Sequence, residues 1–166
     1  MSVVAASIAC SFLLAVLFFP QVRAATTGTI AATVTATNIA VSVSDGSIAF
    51  GSVALNTATT TVAHGETQTV SNTGSAAVLN VKSGNATGGT AWTLGTSAGS
   101  DTFKLEVSMT SGSAYMTFQA TDTYLTASST FASLANQNVD FRFTTPTAST
   151  DFAQKSMTVT VQVTSP

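Results

Sequence analysis

The chain has 166 residues, of which 45% are hydrophobic and only 7% charged; five Lys and Arg stand against seven Asp and Glu, for a net charge of −2. That length supports one domain with a real core. So few basic residues exclude a basic nucleic-acid face, and so high an apolar content excludes a disordered chain.

The chain opens on Met1 to Phe19, almost wholly apolar, with Phe12 to Phe19 at its heart and Pro20 closing it. Val22-Arg23-Ala24 then offers the short residues that a signal peptidase reads. Residues 1–24 are expected to be a secretory signal cleaved after Ala24, leaving a single β-sandwich domain over 25–166 that is secreted or at the cell surface. The alternative is an N-terminal membrane anchor, for which the apolar run is short; once the leader is removed, no membrane partner is expected. Cys10 lies inside the leader, so the mature chain has no cysteine and no disulfide or thiolate chemistry. Arg23 leaves too, so four basic residues face seven acidic ones, a net of −3. Thr makes up about a fifth of the chain. A neutral, hydroxyl-rich surface of this kind has little charge to oppose self-association.

Thr26 to Ala36 comes next. Ile30, Ala32, Val34 and Ala36 alternate with Ala31, Thr33 and Thr35, without a charge or a proline. A strand like that lacks the usual guards against edge pairing, so residues 26–36 are expected to be an assembly strand, with Ile30, Ala32, Val34 and Ala36 on its apolar face. The competing expectation makes it the first strand of its own sandwich.

Period-two alternation then recurs to the C-terminus. Ile39, Val41 and Val43 precede the turn Asp45-Gly46; Ile48, Phe50, Val53 and Leu55 follow. Thr67 to Ser71 leads into the turn Asn72-Thr73-Gly74, and Ala77, Leu79 and Val81 into the loop Gly84 to Gly89. Trp92 and Leu94 mark a short strand. Phe103, Leu105, Val107 and Met109 form the clearest one, with Lys104, Glu106 and Ser108 opposite. Tyr115 to Phe118, then Val139, Phe141 and Phe143, then Met157, Val159, Val161 and Val163 complete the set. One helical turn is allowed between Ser128 and Ala135. About nine short strands, each with one apolar face, predict an all-β, two-sheet antiparallel immunoglobulin-like sandwich; a closed barrel is the runner-up.

Phe50-Gly51-Ser52-Val53, Thr57, Gln68-Thr69-Val70 and Asn72-Thr73-Gly74 resemble the opening strands of secreted immunoglobulin-like modules of the ASH (Hydin-type) group, with a shorter spacing between Val70 and Asn72. Ala32 to Gly46, Trp92-Thr93-Leu94 and Phe143 to Thr147 resemble a type of small secreted β-sandwich from uncultivated bacteria, for which no activity is implied. Trp92-Thr93-Leu94 is also similar to the signature of cell-wall-binding domains named for Trp-x-Leu. A leader followed by one cysteine-free sandwich resembles fibre-forming proteins of the TasA/camelysin kind in architecture.

No catalytic residue is expected. His64, the one histidine, sits in a loop where no motif supplies a nucleophile or an orienting partner. With one His and no mature Cys, no zinc or copper site is expected. The five aspartates are spread singly, although Gly99-Ser100-Asp101 and Thr121-Asp122-Thr123 offer oxygens of the kind calcium uses; the expectation is ordinary turn residues and no cofactor or metal. Glu106 and Asp140 are placed on outward strand faces, and their spacing as an acid/base pair is not readable. Gly88-Gly89 and Gly95 lack the helix and Lys of a phosphate loop. Trp92, Tyr115 and Tyr124 either fill the core or line a carbohydrate groove. The expected function is therefore an extracellular or cell-surface structural subunit that self-associates, as a fibre formed by β-strand addition; the alternative is a monomeric module that binds cell-wall polysaccharide or another carbohydrate.

Overall fold

The computed structural model describes residues 30–119 and 122–166. The expected leader, residues 1–24, lies outside them. The chain divides into two units, 1–35 and 36–166. Of the first, only Ile30–Thr35 are described; they are exposed and belong to no helix or strand.

The second unit is all-β. Its elements are β1 (Val41–Val43), β2 (Ala58–Thr60), a single helical turn α1 (Thr61–His64), β3 (Gln68–Asn72), β4 (Ala77–Ser83), β5 (Thr93–Gly95), β6 (Thr102–Ser108), β7 (Met116–Thr117), β8 (Leu125–Phe131), β9 (Asn136–Thr144) and β10 (Val159–Thr164). Two sheets form the sandwich. The larger has seven strands in the order β1-β3-β9-β6-β5, with β2 also on β9 and β7 also on β6; the smaller is β10-β4-β8. All ladders are antiparallel except β5 with β6, which is parallel.

The core lies between the sheets. Leu79 and Val81 of β4 face Val70 of β3, Phe103, Leu105 and Val107 of β6, and Val139, Phe141 and Phe143 of β9. These are the alternate residues that the sequence pattern turns inward, as the pleat requires. Phe50, Phe103 and Phe143 stack in a row, with ring centroids 5.3 and 5.5 Å apart.

Polar side chains fasten the turns. Asn72, at the end of β3, is buried; its Nδ2 donates to the carbonyls of Ser75, Phe131 and Ala132, and its Oδ1 accepts from the Gly74 amide. Gly74 is small for a reason of space: a Cβ there would stand 2.2 Å from the Asn38 carbonyl oxygen. α1 begins at Thr60, whose Oγ1 accepts from the Ala63 amide, and ends at Gly65 in the left-handed region (φ 71°). Its buried Thr61 accepts from the Phe141 amide and donates to Asp140 Oδ1, which ties the turn to β9.

Three local expectations are corrected. Ser128 to Phe131 is strand rather than helix, because β8 continues its ladder with β4 through Phe131. Ile48 to Leu55 is not strand. Gly51 (φ 67°) and Asn56 (φ 53°) turn the backbone out of the extended region there. Glu106 and Asp140 do lie on the sheet face away from the core, but they are buried, not solvated.

Candidate functional site

The unequal widths of the two sheets leave a gap. β10 is the last strand of the smaller sheet and, among the described residues, pairs only with β4. Beside it there is a cleft of about 1200 Å³. Val70, Leu105, Val139, Phe141 and Phe143 of the larger sheet line it, with Val159 and Val161 of β10 and the stretch Ile48 to Leu55.

That stretch is held at its ends. The Gly46 amide donates to Gln68 Oε1, and Gln68 Nε2 donates to the Ser47 carbonyl. At the other end Thr145 Oγ1 donates to the Ala54 carbonyl and the Asn56 amide to the Pro146 carbonyl. Between them, Ile48 to Val53 joins no strand ladder and makes no backbone–backbone hydrogen bond among the described residues. Ile48 and Phe50 are only half-buried against the core. The lining carries one charge, Lys155. Its ammonium is held by Asp151 at 2.7 Å and by the carbonyls of Gly88 and Thr90, beside the Trp92 ring. The Lys155 hydrogen bond, with the amides of Ala153 and Thr90, holds the Asp151 carboxyl down at about 2.

The described residues of the expected assembly strand are exposed and join no described ladder. Ile30, Ala32, Val34 and Ala36 are among them, Ile30 and Val34 at 96% and 95%. Along the described chain, the first hydrogen bond is made by Asn38, whose amide donates to Ser75 Oγ. Residues 26–29 of the expected strand lie outside the described residues.

On the other face of the larger sheet, α1 and the chain around Tyr115 accompany a polar layer. Arg142 grips Glu106 through two hydrogen bonds of 2.6 and 2.7 Å, and Lys104 reaches the same carboxylate at 2.8 Å. Burial pushes the Glu106 carboxyl up, but the hydrogen bonds and charges of Arg142 and Lys104 outweigh it and hold it below its ordinary value. Tyr115 lies over the Arg142 guanidinium, 4.5 Å from the ring centroid. Burial and the nearby Asp140 push its phenol up. Asp140 Oδ1 accepts from Thr61 and Thr67 at 3.0 and 2.5 Å, while Oδ2 has no partner among the described residues. Because successive strand residues face opposite ways, neither carboxylate points into the cleft.

The remaining candidates are dispersed. His64 Nε2 is 2.8 Å from Thr59 Oγ1. Among the described residues no three His, Cys, Asp or Glu side chains converge as a metal set. Asp101 and Asp122 sit in left-handed turn positions (φ 48° and 59°). Trp92 is turned inward and 8% exposed, its Nε1 donating to Ser149 Oγ. A second, polar hollow of about 340 Å³ is lined by Lys82, Asp122 and neighbouring residues. No helix among the described residues is long and apolar enough to cross a membrane.

Sequence reasoning missed the cleft, since Ile48 to Leu55 reads as one more strand. Gly51 and Asn56 are the only local signals against that. No family model, curated protein or solved structure matches the chain.

Proposed function

We propose that this chain is a structural subunit of an extracellular or cell-surface assembly, and that it associates with copies of itself by β-strand addition. Ile30, Ala32, Val34 and Ala36 carry the added strand. One observation bears most of the weight: an uncharged, alternating apolar segment stands exposed and outside every strand. Covering Ile30 and Val34 contributes about 1.5–3 kcal/mol each, and ladder hydrogen bonds add to that. The apolar leader at 1–24 supports export.

The carbohydrate-binding reading has less support. Its natural platform is Trp92, and that ring is turned inward beneath Lys155.

Sedimentation of the secreted chain over a range of concentrations tests the proposal. The full mature chain should form growing oligomers, and a chain starting at Asn38 should remain monomeric with an unchanged melting curve. Mature protein that stays monomeric at every concentration would overturn the reading. N-terminal sequencing checks export separately, with Ala25 as the expected first residue.

A further inference from the structure

We infer that the acceptor for this strand is the slot between the free edge of β10 and the stretch Ile48 to Val53 of a second copy. The inference rests on the proposed strand addition and adds where the strand goes.

Three observations carry it. The first is unpaired backbone on both sides. Among the described residues β10 pairs only with β4 and Ile48 to Val53 joins no ladder, so an incoming strand finds donors and acceptors along β10. The second is size. A strand in a sandwich takes a rise of ~3.3 Å per residue, ~4.8 Å of sheet width and ~10 Å of sheet spacing. Seven residues, Ile30 to Ala36, therefore need roughly 1100 Å³ on those dimensions, against a cleft of about 1200 Å³. Their length, about 23 Å at that rise, matches the roughly 20 Å of the six-residue β10.

The third is chemistry. The segment is uncharged, and the one charge in the cleft lining is already neutralised by Asp151. Side chains at alternate positions of the guest would meet Val159 and Val161 on the same inward face of the extended sheet, with Leu105, Val139 and Phe141 opposite. β8, the other outer strand of the smaller sheet, contributes none of the residues that line this cleft. Donor and acceptor are different surfaces, so the contact is head-to-tail and repeats as a filament unless its rotation closes a ring.

The mature chain lacks cysteine, so disulfide trapping reads the contact directly. Thr33→Cys or Thr35→Cys on the donor is combined in one chain with Thr160→Cys or Gln162→Cys on β10, in a Cys10→Ser background. Ser129→Cys on β8 replaces the β10 cysteine as the comparison. Adjacent strands bring paired positions within reach of a disulfide. The expected result is a covalent ladder of multimers, under mild oxidation, from at least one of the four β10 pairs, and dimers at most from the β8 pairs. Assemblies that form without a ladder from any β10 pair, or that ladder through β8, overturn this acceptor while leaving strand addition intact. If no assembly forms with or without the cysteines, the proposed function fails, and the acceptor with it.

Discussion

Replacing Arg142 by Met tests the polar layer on the outer face of the larger sheet. Glu106 is almost fully buried, and three of its hydrogen bonds come from cations: two from Arg142 and one from Lys104. Removing one partner of a fully buried pair costs about 3–5 kcal/mol, because a charge is left without compensation. Two features reduce that figure here. The Arg142 side chain is 37% exposed, so solvent already screens part of the pair. Lys104 also remains at 2.8 Å. Loss of the Tyr115 stack adds back less than about 1 kcal/mol. The expected cost is about 2–3 kcal/mol, read from urea unfolding at neutral pH and low protein concentration by the fluorescence of Trp92. Glu106→Gln with Arg142→Met should cost less than the two single changes added, by about 1–2 kcal/mol. An Arg142→Met effect within about 0.5 kcal/mol, the size usual for an exposed residue, would refute the reasoning, as would strict additivity.

Leu105→Ala should cost about 2–5 kcal/mol and Phe141→Ala about 3–5 kcal/mol in the same unfolding experiment; a neutral Leu105→Ala would mean that β6 is out of register by one residue. Gly74→Ala should cost about 1–3 kcal/mol and speed amide hydrogen exchange at Thr73 and Ser75, because the new Cβ pushes Asn38 away; unchanged exchange there would contradict the close approach. The Glu106 carboxyl is held below its ordinary value of 4.5, so the unfolded chain binds the extra proton. Its contribution to stability is complete above that value and is lost as the pH falls through the lower folded one. Glu106→Gln should therefore flatten the acid limb of a stability–pH profile, and an unchanged slope below pH 4.5 would argue against the ion pair.

Much of the fold was legible in particular residues. The alternation at Phe103 to Val107 and at Val139 to Phe143 placed β6 and β9 and their inward faces. Asn72-Thr73-Gly74 marked the turn between β3 and β4, although the sequence did not show that Asn72 would bind three carbonyls or that Gly74 would lie against Asn38. Ile48 to Leu55 was misread, because apolar residues at alternate positions look like a strand whether or not a partner edge exists. Asp140 and Glu106 were misjudged for a related reason. Alternation tells which face a residue takes, and α1 and the Tyr115 region, which cover that face, come from distant sequence.

The amino-acid sequence alone determined the all-β class, the inward face of most strands and the uncharged character of Ile30 to Ala36. These are properties of local periodicity and composition, and each is carried by neighbours within a few positions. The tertiary structure alone decided that, among the described residues, the smaller sheet ends at β10, that Ile48 to Val53 does not extend it, and that both line a cleft of about 1200 Å³. Sheet edges depend on which segments pair across tens of residues, so no run of adjacent residues encodes them.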